Sequence, residues 1–287
     1  MSKYIIITDS ASDLPDSYIK ENGIDSCPLF YNINDVVYGA DKQMDTKKFF
    51  DAMRNGATPT TMAINPDHAE KCYRHYLEQG YNLLILAFSS GLSSTYNTSA
   101  ITARELKEEF PDKKIIVIDT LCASLGQGLI VHKAIQNQKN GMSIEANANW
   151  IKDTIPHLCH IFTVDDLYNL QRGGRISKAT AVIGTMINVK PVLHVDDEGH
   201  LVSLANVRGR KKAINMLADE LIKRSEGYEN DIIFISHGDC LEEAEQLRDI
   251  IFSKTDIKNC FISPLTPTIG AHAGPGTIAL FFLGDHR

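Results

Sequence analysis

Residues 83–99 read Leu-Leu-Ile-Leu-Ala-Phe-Ser-Ser-Gly-Leu-Ser-Ser-Thr-Tyr-Asn-Thr-Ser. An apolar run suited to a buried strand passes directly into a turn rich in hydroxyl groups, and this turn opens a segment with helical periodicity. Seven of the eleven residues from Ser89 to Ser99 are Ser or Thr. A strand that leads into a helix in this way is typical of a parallel sheet with crossover helices.

The start of this helix also has the chemistry of an anion site. The first amides of a helix lack backbone partners, and the helix dipole is positive there. Over residues 72–103 the only Lys or Arg is Arg74, so a nucleotide phosphate, which commonly uses a Lys and a metal ion, fits poorly. A single carboxylate fits better. The simpler alternative is that Ser93, Ser94 and Thr95 only cap the helix.

The alternation of strands and helices continues on both sides of this stretch. In the first half it predicts strands at 4–7, 83–88 and 115–118, helices at 45–55, 66–79, 95–109 and 124–138, and a hairpin within 27–38. After a helix at 143–155, the second half predicts a strand at 159–164, short helices near 166 and 178, strands at 189–195 and 201–207 joined by a hairpin turn at 196–199, a helix at 210–225, a strand at 231–236, a helix at 241–252, and strands near 260 and at 278–283.

We therefore expect an α/β fold with two domains. Residues 1–157 form an N-terminal α/β domain with a mainly parallel sheet and crossover helices, and residues 158–287 form a C-terminal domain with a mixed sheet and helices. A chain of 287 residues with 43% hydrophobic content is long enough for two cores. The boundary rests on the change of pattern alone, because no Pro- or Ser-rich linker separates the halves.

The composition excludes several classes of protein. A net charge of −7 argues against a general nucleic-acid binder, which needs a dominant basic face. The six cysteines form no Cys-x-x-Cys pair and are expected to be reduced, as in the cytoplasm. The apolar run at 4–7 is too short for a signal segment, and no stretch is long enough to span a membrane. The sequence predicts a soluble cytoplasmic protein.

Enzyme and cofactor motifs are incomplete in this chain. The segment 91–95 begins like a nucleophile elbow but has Thr95 in place of the second glycine, which disfavours a serine hydrolase. There is no Walker A lysine motif, and the Gly126-Gln127-Gly128 segment lacks the third glycine of a dinucleotide fingerprint. His157, Cys159 and His160 have no recognised zinc spacing. We expect no cofactor, no metal ion and no catalytic residue.

Six motifs, in their order and spacing, resemble the DegV family over essentially the whole chain. They are Thr8-Asp9-Ser10 with Asp13-Leu14-Pro15, Thr58-Pro59-Thr60-Thr61, Ser89-Ser90-Gly91-Leu92-Ser93-Ser94-Thr95-Tyr96, Asp119-Thr120, Arg172-Gly173-Gly174-Arg175-Ile176, and Gly270-Ala271-His272-Ala273-Gly274-Pro275-Gly276. The resemblance implies a two-domain α/β protein that holds a long-chain fatty acid. Several such proteins are the lipid-binding subunit of a bacterial fatty acid kinase, so the resemblance implies a carrier.

The resemblance also implies roles for individual residues. Thr61 and Ser93 would bind the fatty acid carboxylate through their hydroxyls, His272 would be a nearby polar partner, and the Ser94 amide would add a bond. The family commonly has Gly in place of Ser94 and a hydroxyl residue in place of Ala273, which implies an altered fit. A further group would lie near the mouth of the site and dock a kinase or a phosphorylated head group: Arg172, Arg175 and Arg208.

The resulting hypothesis is that the protein presents the carboxylate to a separate ATP-dependent kinase. It then shelters the acyl phosphate until an acyltransferase takes it, which connects the protein to phospholipid synthesis. Two alternatives remain open. One is a stand-alone lipid-binding or regulatory protein, and the other is a hydrolase or transferase that uses Ser93 and His272 directly.

Overall fold

The computed structural model describes residues 3–165, 167–177 and 188–287. The helices are α1 Asp16–Asn22, α2 Thr46–Arg54, α3 Pro66–Glu78, α4 Thr95–Glu109, α5 Leu125–Lys139, α6 Ile144–Thr154, α7 Tyr168–Arg172, α8 Arg210–Arg224, α9 Leu241–Lys254 and α10 Pro267–Ala273. The strands are β1 Tyr4–Asp9, β2 Asp25–Cys27, β3 Phe30–Ile33, β4 Val36–Tyr38, β5 Thr60–Met62, β6 Asn82–Ala87, β7 Ile115–Asp119, β8 Leu158–Thr163, β9 Val189–Val195, β10 Leu201–Arg208, β11 Ile233–His237, β12 Cys260–Pro264 and β13 Ile278–Leu283.

The first sheet has the order β2-β1-β6-β7, and all its strands are parallel. Its central strands β1 and β6 are buried at every position, as expected for parallel strands covered on both faces. One face packs on α3 and its neighbours through Tyr73 and Leu77. The other face packs on α5 and α6, so the predicted parallel sheet with crossover helices is confirmed.

The second sheet has the order β10-β9-β8-β13-β11-β12. Only the β11–β12 pair is parallel, and the other neighbours are antiparallel, which confirms the predicted mixed sheet. The turn at 196–199 joins β9 to β10 as predicted, with Gly199 at a φ of 80°. Helices α8 and α9 cover one face through a cluster that includes Leu217 and Leu247.

A third, three-stranded sheet has the order β4-β3-β5. Asn34 and Asp35 turn the predicted hairpin, with φ angles of 52° and 59°, the geometry that such two-residue turns require. The sequence pattern does not indicate β5. This strand pairs with β3, with Thr61 opposite Tyr31. Thr61 is one of the residues predicted to bind the carboxylate.

The two larger sheets share one core. Helix α5 packs against β1 of the first sheet and against β11 and β13 of the second, and its cluster includes Leu84, Phe162 and Phe281. The domain boundary between 157 and 158 stays a prediction, and β8 begins at Leu158. The short helix predicted near 178 lies outside the described residues. No helix in the described ranges is both long and apolar enough to cross a membrane.

Candidate functional site

A largely apolar cavity lies where the first, second and third sheets approach one another. Leu29, Phe88 and Leu92 line it from the first half of the chain, and Phe162 and Phe281 line it from the second sheet. Its volume is about 190 Å³, whereas one water molecule needs about 10–15 Å³. The cavity therefore has room for a ligand many times larger than water.

Polar groups gather at one part of this lining. The hydroxyl oxygen of Thr61 lies 2.7 Å from Nε2 of His272, which joins β5 to α10 across the cavity wall. Ser93, Ser94 and Arg175 line the same cavity. The structure thus brings together all four residues predicted to bind a carboxylate and one of the three predicted arginines.

The two serines at the start of α4 differ in their bonding. The Ser93 hydroxyl accepts from the amide of Thr95 at 3.2 Å and lies 2.9 Å from the Thr95 hydroxyl. Ser94 is the N-cap residue, but its side chain makes no capping hydrogen bond and is exposed. Capping therefore accounts for part of the role of Ser93 and for none of that of the Ser94 hydroxyl.

His272 lies in the last turn of α10, whereas the Gly/Pro-rich sequence predicts a loop. Pro267 is compatible with the first turn of this helix. The helix ends at Gly274, whose φ is 84°. Burial, with Arg175 and Arg172 nearby, lowers the pKa of His272 to about 4. The imidazole is therefore neutral at pH 7 and serves as a hydrogen-bonding group.

Close packing holds the His272 ring in place. Among the described residues its Nδ1 has no hydrogen-bond partner. A Cβ added at Gly173 would lie 2.1 Å from that nitrogen, so Gly173 makes room for the imidazole. Gly173, which lies between the two arginines in the sequence, therefore has a packing function.

The three predicted basic residues occupy different places. Arg175 donates from Nε to the Leu92 carbonyl at 3.1 Å and lines the cavity. Arg172 donates to the Ala271 carbonyl at 3.4 Å and does not line it. Arg208 is exposed at the end of β10 and is also absent from the lining. Arg175 is thus the predicted arginine closest to the cavity.

The polar part of the lining is also where the cavity meets the surface. Met62 lines the cavity and is 43% exposed, and Ser94 is exposed beside it in the lining. We define the mouth of the cavity as Thr61, Met62, Ser93, Ser94 and His272. A group bound at the mouth is accessible from outside, whereas the apolar part is covered.

Asp13 has a role that the sequence does not reveal. Asp13 precedes α1 but does not cap it, because the N-cap of this helix is Pro15. The buried Asp13 carboxylate instead accepts from the amide and hydroxyl of Thr266, at 2.8 and 2.7 Å, and from the Ser124 hydroxyl. Sequence patterns cannot reveal bonds between residues so far apart along the chain.

The geometry offers little for catalysis by Ser93. The hydrogen-bond partner of His272 Nε2 is Thr61, and the partners of the Ser93 hydroxyl lie in Thr95, whereas a nucleophile needs a base within hydrogen-bond reach. Within the described ranges, no group of three or more His, Cys, Asp or Glu side chains is arranged to hold a metal ion.

The fold and the cavity define a class of protein, namely α/β proteins with two large sheets and a largely apolar cavity that has a polar mouth. Within that class the chain belongs to the DegV family, since the model of this family, described as an uncharacterised protein family, matches residues 3–285. The resemblance inferred from the motifs is confirmed.

Individual relatives match over the same length. A DegV domain-containing protein of Clostridium perfringens is 44% identical, with 100% of this chain and 99% of that protein covered. A DegV family protein of Thermus thermophilus, described as binding fatty acid, has a TM-score of 0.88 at 28% identity, covering 98% of this chain and 99% of that one. DegV of Bacillus subtilis, described as a fatty acid binding protein, has a TM-score of 0.86 at 27% identity, covering 99% and 100%.

Proposed function

We propose that this protein binds a long-chain fatty acid and presents its carboxylate to a separate ATP-dependent fatty acid kinase. The observation that carries the proposal is the cavity itself, which combines a covered apolar wall with hydroxyl and imidazole groups at an accessible mouth. The fatty acid binding described for the Thermus thermophilus and Bacillus subtilis relatives supports the same ligand class.

The two parts of the cavity contribute differently to binding. Burial of a tail gives about 0.8 kcal/mol per methylene, so about fifteen methylenes give on the order of 12 kcal/mol before the costs of association. A hydrogen bond to a charged carboxylate gives about 1.5–3 kcal/mol net. The tail therefore sets the affinity, while Thr61, Ser93, Ser94 and His272 orient the head group and exclude others.

The neutral state of His272 is relevant to the head group. With a pKa lowered to about 4, the imidazole contributes no positive charge at pH 7, and Arg175 is the nearby cation in the lining. A carboxylate held mainly by neutral hydroxyls stays exposed enough at the mouth to react with a phosphoryl donor. Arg172, Arg175 and Arg208 would then contact the kinase or the new phosphate.

In this scheme the kinase supplies the catalytic groups, and the carrier supplies the positioned substrate. A carboxylate oxygen attacks the γ-phosphorus of ATP, the bond from this phosphorus to the β,γ-bridging oxygen breaks, and the products are an acyl phosphate and ADP. The covered part of the cavity keeps the tail from water until an acyltransferase takes the acyl group. A carrier that never meets a kinase needs the same cavity, so the distinction lies in the partner reaction.

The first test is mass spectrometry of the freshly purified protein and of its organic extract. We expect one long-chain fatty acid per chain. A protein that is empty and also takes up no added fatty acid would refute the lipid-binding proposal.

The second test adds a DegV-partner kinase and ATP and measures acyl phosphate. We expect Ser93→Ala to lower turnover while the protein still retains bound fatty acid, because the tail provides most of the binding free energy. Wild-type protein loaded with fatty acid that gives no acyl phosphate would contradict the kinase role and favour the stand-alone carrier. Hydrolysis of a simple ester without a partner would favour the hydrolase.

A further inference from the structure

The covered part of the cavity follows the direction of strand β13. Ala279 and Phe281 of this strand and Thr277, which immediately precedes it, stand at every second position and all line the cavity, since every second side chain of a strand points to the same face. The Thr277 hydroxyl donates to the carbonyl of Ala273, which places it beside His272 at the mouth. Phe281 is four residues further on, roughly 13 Å along the strand.

A buried histidine lies at the far end of this path. His160 on β8 is the antiparallel partner of Phe281, and their rings meet edge to face at 5.3 Å. Both residues line the cavity, but the next residues on the same faces, Leu158 and Leu283, do not. The cavity therefore ends at the level of His160 and Phe281.

The His160 ring is fixed in one position. Its Nδ1 lies 3.2 Å from the Leu158 carbonyl oxygen, so this nitrogen carries the hydrogen and donates. A Cβ added at Gly126 in α5 would lie 2.2 Å from Nε2, so helix backbone covers the other edge of the ring. A ring enclosed by Phe281, α5 and its own strand cannot move aside for a longer ligand.

Histidine is an unusual residue at the apolar end of a cavity. His160 is only 2% exposed, and within the described residues its Nε2 has no hydrogen-bond partner. Burial lowers the pKa of His160 well below its usual range, so the ring is neutral. An unsatisfied buried nitrogen costs free energy of folding. We attribute the presence of a histidine here, despite this cost, to the shape that its ring gives to the end of the cavity.

We propose that His160 is the end wall of the tail channel and sets the maximum length of the acyl chain. The inference rests on the proposed fatty acid ligand and adds the residue that selects among such ligands. Each additional methylene that is buried raises affinity roughly fourfold, whereas a methylene that meets the wall forces strain or leaves the head group displaced from the mouth.

The test compares the wild type with four variants by native mass spectrometry after incubation with an equimolar mixture of saturated fatty acids of twelve to twenty carbons. Three of them are His160→Ala, which opens the end, His160→Leu, which nearly keeps the side-chain volume, and Ile101→Ala, a control at an exposed residue of α4 outside the cavity lining. We expect His160→Ala to favour acids about two carbons longer than the wild type does, by roughly tenfold. The other two should keep the wild-type distribution.

A fourth variant covers failure of the first to fold. His160→Trp enlarges the end wall, and we expect the preference to move toward shorter acids; circular dichroism checks the fold of each protein. Folded His160→Ala or His160→Trp proteins that keep the wild-type distribution would overturn the role of His160. A wild-type protein that takes up none of the acids would instead refute the fatty acid proposal on which the inference rests.

Discussion

At the scale of single residues, the role of the mouth in ligand binding is tested most directly at Thr61, whose hydroxyl is hydrogen-bonded to His272. Thr61→Val keeps the side-chain shape but removes the hydroxyl. We expect affinity for a long-chain fatty acid to fall by about tenfold or more, because a hydrogen bond to a charged group contributes about 1.5–3 kcal/mol. Displacement of a fluorescent fatty acid measures this, and an equal loss for the methyl ester would point to tail-channel damage instead.

Gly173 offers another test, one that leaves the ligand-binding side chains unchanged. An added Cβ would lie 2.1 Å from Nδ1 of His272, and the backbone φ at Gly173 is −71°, which alanine adopts without strain. We expect Gly173→Ala to displace the imidazole and lower fatty acid affinity about as much as His272→Ala does, as measured by the same displacement assay.

The neighbouring glycine is the matched control for this variant. Gly174 has a φ of 74° and no atom within 4 Å of an added Cβ. Gly174→Ala should therefore cost about 1 kcal/mol of stability through backbone strain and leave affinity unchanged. If both variants lower affinity equally, the position of His272 is not the reason.

At the scale of helices and strands, local signals predict most of the elements. Helix α3 starts at Pro66, after Asn65, whose side chain accepts from the amides of Asp67 and His68, and such capping is visible in the sequence. Local signals do not predict β5 and α10, because tertiary contacts decide them. Strand β5 is three residues long and needs β3 as its partner, and helix α10 has the composition of a Gly/Pro-rich loop.

The same limit explains which parts of the site were predictable. The hydroxyls of Ser93 and Ser94 beside a helix start are local features of the sequence, whereas the roles of Thr61 and His272 are implied by the resemblance to the DegV family. His160 belongs to a strand whose neighbours β9 and β13 come much later in the chain. Its place at the end of the cavity follows from register alone, which the sequence does not display.

The turn of the β3–β4 hairpin gives a prediction at this scale. Asn34 and Asp35 both have positive φ, a conformation that costs a β-branched residue about 1–2 kcal/mol. We expect Asp35→Val to lower the free energy of unfolding by about that amount, while Asp35→Gly keeps it within about 1 kcal/mol or raises it. Urea unfolding curves measure both, and equal losses would contradict the turn geometry.

At the scale of the whole molecule, Asp13 connects elements that are distant in the sequence. Its carboxylate accepts from Thr266, which precedes α10, and from Ser124, which precedes α5. The Ser124 hydroxyl lies 2.8 Å from that of Ser236 in the second sheet. One buried carboxyl thus connects the start of the helix that carries His272 with α5 and with the segment between β1 and α1.

The charge of this carboxyl makes the stability of the whole protein depend on pH. Burial raises the pKa of Asp13 to about 7, although the hydrogen bonds from Ser124 and Thr266 lower it. Between the ordinary value of 3.8 and about 7, the folded protein holds a proton that the unfolded chain has lost. The contribution of Asp13 to stability is therefore present at low pH and is lost as pH rises through this window, by up to about 1.4 kcal/mol per unit.

Asp13→Asn removes the titration and can still accept from Thr266. We expect the free energy of unfolding of the wild type to fall relative to that of Asp13→Asn by on the order of 2 kcal/mol between pH 5 and pH 8. His272 has the opposite effect, because its pKa is lowered to about 4, but it is present in both proteins and cancels in the difference. Urea unfolding at several pH values measures that difference. A difference that stays constant from pH 5 to pH 8 would mean that folding does not raise the pKa of Asp13 into this range. The contribution of Asp13 to the free energy of unfolding would then be the same at every pH in the range.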